Sequence, residues 1–163
     1  MHFDVLVEGL DDLQREWKRS FLTTLRRGVR AAVARACDAG VATAKALVHV
    51  SAEPKGTHLR DEIYGRVTGE VAGGIPAIEG EIVAPKKYAR YLEEGTAAHI
   101  IEAKGKALAF EWKGVQSFFK RIHHPGTKPA PFMGPAYLAT ERRLEAEMEK
   151  AVQAAIDRFN SAG

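Results

Sequence analysis

The stretch from His123 to Phe132 restricts the possible folds of this 163-residue chain more than any other. It holds three prolines within seven residues, namely Pro125, Pro129 and Pro131. Proline lacks a backbone N–H, and its ring clashes with a preceding carbonyl in a helix, so this stretch is neither a helix interior nor a central strand. The sequence therefore predicts an extended, stiff connection, here called the strap, over residues 125–133.

A long helical region is predicted before the strap, over residues 10–48. Apolar residues recur there every three or four positions, which is the spacing of one helix face. Gly28 and Gly40 lie within it, and each costs about 1 kcal/mol relative to alanine. We therefore expect a bend or break, either around Lys18–Ser20 or at Gly28.

A second helix is predicted after the strap, over residues 135–160, with Pro135 at its first position. One apolar stripe runs along it, formed by Leu144, Met148, Val152, Ile156 and Phe159. The stripe is expected to face the core or a partner. The charged residues over 141–150 are expected to form a solvated outer face.

Strand patterns predict two antiparallel hairpins in a sheet region over 61–124, in addition to an N-terminal strand over 2–8. The first hairpin joins alternating runs at 63–71 and 78–84 through a turn rich in Gly and Pro. The second joins 108–112 to 115–122 through Lys113-Gly114. Because the last run is apolar on both faces, we expect the long helix to cover one face and a neighbouring subunit the other.

A short amphipathic helix is predicted between the hairpins, with Tyr88, Tyr91 and Leu92 on one side. Gly95 ends it, since glycine adopts a left-handed conformation without steric penalty. These elements predict one α+β domain over 1–163. In it an antiparallel sheet packs against the long N-terminal helical segment and the C-terminal helix, with the short helix inserted in the sheet.

Two motifs in this chain resemble the head–tail joining family (neck, or minor tail component) of long-tailed bacteriophages. The first is Tyr-Ala, two residues, an aliphatic, Glu, one residue and Gly-Thr, with a His soon after; the second is His-Pro-Gly-Thr-x-Pro-x-Pro-Phe. The resemblance covers roughly residues 57–140. The matching positions are Tyr88, Ala89, Leu92, Glu93, Gly95, Thr96, His99, Leu108, Phe110, His124, Pro125, Gly126, Thr127, Pro129, Pro131, Phe132, Pro135 and Ala136.

The resemblance implies a structural virion protein and not an enzyme. It implies a ring, with six copies expected, which terminates or completes the tail and joins it to the head. The implied partners are further copies of the chain, the tail tube protein, head-closure or connector proteins, and DNA passing through the lumen. The implied location is the neck of the virion, after assembly in the cytoplasm of the bacterial host.

The expected contact surface lies on the short helix, the following loop and the strap. The residues assigned to it are Tyr88, Tyr91, Glu94, Thr96, His99, His123, His124, Pro125, Thr127, Pro131, Phe132 and Met133. The loop around 100–106 is expected to contribute. The stiff strap suits this role because an ordered segment loses little entropy on docking.

A basic patch on the long helix supports an alternative function, a nucleic-acid-binding module that uses residues 15–35. Its members are Arg15, Lys18, Arg19, Arg26, Arg27 and Arg30. The patch is either a solvated helix face or a surface for phosphates or an acidic partner. The net charge of +3 is too small to decide between them.

Residues capable of chemistry are few. Cys37, the one cysteine, lies among alanines in a predicted helix, where thiols are usually buried and inert. His99, His123 and His124, with Glu93 or Glu94, leave a metal site open as an alternative to structural hydrogen bonding. We expect no cofactor, no signal peptide and no membrane span, since no run approaches ~20 apolar residues.

Overall fold

The computed structural model describes residues 10–49, 58–72, 75–112 and 114–161. The strand predicted over 2–8 and most of the loop predicted over 49–60 lie outside these residues. The described elements are α1 (Leu10–Leu47), α2 (Leu59–Glu62), β1 (Tyr64–Ala72), β2 (Ile75–Val83), α3 (Ala89–Glu94), β3 (His99–Glu102), β4 (Leu108–Trp112), β5 (Val115–Phe119), β6 (Arg121–His124) and α4 (Met133–Ser161). The predicted α+β class is confirmed.

Helix α1 runs without interruption through 38 residues, so the predicted break is wrong. Its glycines lie where neighbouring elements come closest. A Cβ at Gly28 would lie 3.1 Å from the Ala151 Cβ, and one at Gly40 would collide with Thr140 and Ile82. Glycine is retained at these positions because α4 packs antiparallel against α1 with almost no space between the backbones.

The face of α4 that meets α1 is made of small residues and one acid. Its buried members are Ala136, Glu147, Ala151 and Ala155. The predicted stripe lies beside this face, and Val152, Ile156 and Phe159 remain 38–42% exposed. The stripe therefore faces the core only in part, because alanines allow a closer helix–helix approach than leucine-sized side chains.

Glu147 corrects the prediction that residues 141–150 form a solvated outer face, because its side chain is only 4% exposed. It pairs with Arg35 of α1 and with Arg143 and Lys150 of its own helix. Hydrogen bonds from Lys150 and Arg35 lower the pKa of Glu147. A buried carboxylate needs such partners, and here they join α1 to α4.

Strands β1 and β2 form the first predicted hairpin, with Tyr64 opposite Val83 and Ala72 opposite Ile75. The predicted turn between them lies partly outside the described residues. The hairpin lies on α1, and a Cβ at Gly80 would approach the Cys37 Sγ to 2.6 Å. This contact buries Cys37.

The second predicted hairpin is confirmed, but it is shorter than expected. Strand β5 ends at Phe119, and β6 pairs antiparallel with β3 instead of extending β5. The change occurs at Lys120, whose carbonyl accepts a hydrogen bond from the Ala103 N–H at 2.9 Å. The described strands thus form three two-stranded sheets instead of one sheet.

The core lies where α1 meets α2, α3 and the start of α4. Its buried cluster consists of Ala44, Val48, Leu59, Ile63, Ala89, Phe132 and Ala136. In contrast, none of the described side chains from 99 to 124 is buried. Among the described residues, no helix is long and apolar enough to cross a membrane.

Candidate assembly interface

The end of α3 and the strap are joined by a pair of backbone hydrogen bonds. The Thr96 N–H donates to the Thr127 carbonyl at 2.9 Å, and the Thr127 N–H donates back at 3.1 Å. Gly95 has a φ of 73°, and a Cβ there would lie 2.5 Å from the Thr127 oxygen. The predicted glycine end of α3 is therefore confirmed, and it also allows the strap to approach closely.

Glu93 links α3 to the start of α4. Its carboxylate accepts hydrogen bonds from the N–H groups of Phe132, Met133 and Gly134 at 2.7, 2.9 and 3.0 Å. Partial burial alone would raise the pKa of the carboxyl, but these three donors hold the pKa of Glu93 below its usual value. A carboxylate is favourable here because the N-terminus of a helix carries unpaired N–H groups and a partial positive charge.

Phe132 is a core residue. Only 1% of it is exposed, so the expectation that it is displayed at the surface for contact is wrong. Two hydrogen bonds fix the backbone at and just before Phe132. The Phe132 N–H donates to Glu93, and the Ala130 N–H donates to the Leu92 carbonyl at 2.8 Å. We name this joint of α3, the strap and the α4 start the clasp; it consists of residues 92–96 and 126–134.

Residues 97–125 begin and end at the clasp, and we name them the extension. Its strands carry large apolar side chains that the described chain leaves open. Ile100, Val115, Phe118 and Phe119 are 44%, 65%, 65% and 39% exposed. Phe119 stacks on Phe110 with ring centres 5.4 Å apart. The sequence predicted that the long helix covers one face of β5 and a neighbouring subunit the other. Because side chains on both faces of β5 are exposed, the predicted cover by the long helix is wrong, and cover by a neighbour stays a prediction.

Part of the expected contact surface forms an open cleft of about 750 Å³ beside the clasp. Its predicted members are Tyr91, Glu94, Thr96, His99, His124 and Thr127. A second hollow, of about 570 Å³, is lined by Phe110, Phe119, Ile122, His123, His124 and Pro125. Tyr88, Pro131 and Met133 line neither hollow, and Tyr88 is 45% exposed.

The histidines are placed by the pairing of β3 with β6. His99 lies opposite His124, and their rings stack with centres 5.0 Å apart. His123 lies opposite Ile100, on the other side of the strand pair. The His124 Nδ1 accepts from the Gly126 N–H at 3.1 Å. No group of three possible metal ligands occurs in the described part of the chain.

The basic patch is only partly one surface. Arg15, Lys18, Arg19 and Arg26 line an open groove along α1 together with Leu22 and Thr23. Arg30 lies apart from this groove and donates to the Val67 carbonyl of the β1–β2 hairpin at 3.4 Å. Arg27 is exposed but does not line the groove.

Cys37 is unsuited to nucleophilic chemistry. It is 3% exposed, and burial, together with the charge of Asp38, raises the pKa of its thiol. The reactive thiolate is therefore disfavoured. Its place between α1 and the β1–β2 hairpin is that of a small packing residue.

The sequence did not predict two of the residues that organise this region. Glu93 was recognised as a motif position without a role, because its three donors lie some forty residues further along the chain. No feature of the sequence around Lys120 predicted that a strand ends there.

Comparisons with models of protein families, with curated proteins and with solved structures each yield no match.

Proposed function

We propose that this chain is a structural subunit of the head–tail junction of a long-tailed phage or phage-like particle. The observation that carries the proposal is the exposed apolar surface of the extension. Val115 and Phe118 are each 65% exposed, on a two-stranded hairpin. Exposed apolar groups of this kind mark interaction sites, and an isolated hairpin is at best marginally stable in water. A neighbouring subunit would both cover the surface and stabilise the hairpin.

The clasp supports the same proposal, because it holds the extension in a defined direction. The Thr96–Thr127 hydrogen bonds and the Glu93 cap fasten both ends of the extension to the helices. A preformed surface loses less conformational entropy on docking than a free loop. The motif residues that resemble the neck family thus support the proposed contact surface, in addition to any contact that they make with a neighbouring subunit.

Within this proposal, the kind of particle and the partners are those that the resemblance to the neck family implies. The chain forms a ring of six copies that terminates or completes the tail and joins it to the head. In the neck of the virion the ring contacts the tail tube protein on one side and head-closure or connector proteins on the other. Assembly takes place in the host cytoplasm, and no catalytic step is assigned to the chain.

The proposal is tested by sedimentation velocity on the purified protein over a range of concentrations. The wild-type chain should form a closed oligomer, visible as a ring by electron microscopy. Phe118→Ser should shift it towards the monomer without lowering the melting temperature of the monomer, because Phe118 is 65% exposed.

The control is Leu47→Ser, which removes an apolar side chain that is 50% exposed on α1, outside the extension. It should leave the oligomer intact. A wild-type chain that remains monomeric at all concentrations, and is absent from purified particles, would contradict the proposed function.

A second candidate function, nucleic-acid binding, is favoured by the groove along α1. Four cations line it at helical spacing, Arg15, Lys18, Arg19 and Arg26. Such a row follows one face of a helix and gives that face a positive potential, which attracts a phosphate backbone. In a ring the same row would meet DNA in the lumen if α1 faced inwards.

The second candidate is tested by DNA binding measured across salt concentration, with the monomeric Phe118→Ser variant as background. Arg19→Gln with Arg26→Gln should weaken binding and reduce the slope of log K against log salt by about 0.9 per lost phosphate contact. Lys87→Gln with Lys128→Gln, two exposed cations elsewhere, serves as the control. Equal slopes for both pairs would reject a DNA site on α1.

A further inference from the structure

Helix α4 carries a strip of exposed apolar residues beside its contact with α1. Its members are Tyr137, Leu138, Val152, Ile156 and Phe159, which are between 38% and 67% exposed. The helical repeat of 3.6 residues places them along one side of α4. Phe159, at one end of the strip, also packs against Trp17 and Phe21 of α1, with ring centres 5.5 and 5.8 Å apart. The strip lies outside the extension in the sequence.

A row of acids accompanies the strip. Glu141, Glu145 and Glu149 repeat every fourth residue, so they lie along the same side of α4, and all three are exposed. The other acid of this region, Glu147, is buried and paired with cations on the opposite flank. The open side of α4 therefore carries apolar residues towards both ends and the acid row between them, with Arg142 beside Glu145 and Glu149.

The extension has the opposite sign. Lys104, Lys106 and Lys120 are exposed at the base of the β4–β5 hairpin. Lys104 and Lys120 are neighbours in space, because the Ala103 N–H donates to the Lys120 carbonyl. Within the part of the chain that the structure describes, no ion pair involves these three lysines or the three acids of the α4 row.

We infer that the extension of one copy docks on the open side of α4 in the next copy. Phe118, on one face of the β4–β5 hairpin, meets the α4 strip, while the lysines meet the acid row; Val115 and Phe119 lie on the opposite face of the hairpin. This inference rests on the proposed ring and names the two faces that form its contact. Each subunit carries one face of each kind.

The charges decide between this arrangement and a symmetric dimer. Two α4 faces placed against each other would oppose acid rows, and two extensions would oppose lysines; like charges in an interface are costly. Pairing one extension with one α4 face brings opposite charges together. Because the two faces differ, the contact is head-to-tail, which is the kind that closes into rings.

The inference is tested with two charge-reversed variants of the full chain. The first carries Glu141→Lys, Glu145→Lys and Glu149→Lys; the second carries Lys104→Glu, Lys106→Glu and Lys120→Glu. In each variant the two faces have the same sign, so the dissociation constant of self-assembly should rise at least about tenfold. Mixed in equal amounts, the two should assemble alternately, because each then meets a partner of opposite sign.

Sedimentation velocity distinguishes the outcomes. Restored assembly in the mixture, with neither variant assembling alone, is the expected result. If the wild type forms a ring and either variant forms the same ring alone, the face pairing is overturned while the proposed ring stands. If the wild type does not assemble at all, the proposed function itself fails.

Two controls keep the test decisive. The triple variant Asp38→Lys, Asp61→Lys and Glu79→Lys changes three exposed acids elsewhere and should assemble like the wild type. If circular dichroism shows that a reversed variant is unfolded, Glu→Gln and Lys→Gln at the same positions replace it. Those neutral variants should make assembly weaker and less dependent on salt, and unchanged assembly would overturn the pairing.

Discussion

Glu93 receives three backbone N–H groups from the turn that starts α4. The N–H groups in the first turn of a helix have no partner within the helix, and side chains that satisfy them come usually from adjacent residues. Here the side chain comes from another helix. Glu93 therefore contributes to tertiary structure as well as to helix termination, because the strap cannot leave α3 without exposing these donors.

The first prediction concerns this carboxylate. Glu93→Ala should lower the free energy of unfolding by about 1–2 kcal/mol, the range of a lost helix cap, measured by urea denaturation at neutral pH. Glu94→Ala, its neighbour, is the matched control. Within the described ranges Glu94 pairs with Arg90 on the exposed side of α3, where solvent screens ion pairs and they contribute little to stability. Equal losses for the two variants would contradict the cap.

The difference between wild type and Glu93→Ala should also depend on pH. Because the pKa of Glu93 is lowered in the folded chain, the carboxylate contributes stability above the ordinary value of 4.5. That contribution is lost as the pH falls through the lowered value. The two unfolding curves should therefore converge at acid pH.

At the scale of elements, the packing of α1 against α4 and the β1–β2 hairpin depends on close backbone approach. Gly40 lies beside Thr140 of α4 and Ile82 of β2 at once. In an isolated helix alanine would be better than glycine by about 1 kcal/mol. The contact with two neighbouring elements reverses that preference.

The second prediction follows from this contact. Gly40→Ala should lower the free energy of unfolding by about 1–3 kcal/mol, the range for an overpacked core, despite the gain in helix propensity. Adding Thr140→Ala should recover part of the loss. Among the described residues the Thr140 hydroxyl donates to the Ala136 carbonyl of its own helix, so its removal alone costs little. Urea denaturation of the three variants provides the measurement, and a more stable Gly40→Ala would contradict the close approach.

The elements differ in how well the sequence predicts them. Helices α1 and α4 and both hairpins follow from local periodicity, so they are predicted to within a few residues. The unbroken course of α1 is not, because the cost of a helical glycine is local whereas its compensation by Ala151 or Thr140 is distant. The change of partner at Lys120 is missed for the same reason: its hydrogen bond to Ala103 has no local pattern.

The motifs predicted which segments form the clasp, but not the role of each residue in it. Composition alone does not separate a residue that supports a surface from one that is exposed on it. Phe132, next to three prolines, resembled an exposed anchor and is a core residue. Phe118 attracted less notice within an ordinary strand pattern, and it is among the most exposed aromatic residues described.

The whole molecule has two parts with different sources of stability. The helices hold most of the buried side chains, and the β1–β2 hairpin packs on α1 over the buried Cys37, whereas the extension has no buried side chain among its described residues. Its order depends on two strand pairs, β3–β6 and β4–β5, and on the clasp. Local opening should therefore begin in the extension, since regions with few buried contacts open most readily.

The two ends of the extension meet at Thr96 and Thr127, which form an isolated bridge. A segment whose two ends are adjacent is an insertion, and the rest of the chain does not need it to remain connected and packed. In the proposed ring, mutations in the extension would be limited mainly by the fit to the neighbouring subunit and little by the packing of the helices. Exchange of this single insertion would then adapt one scaffold of helices to particles of different shape.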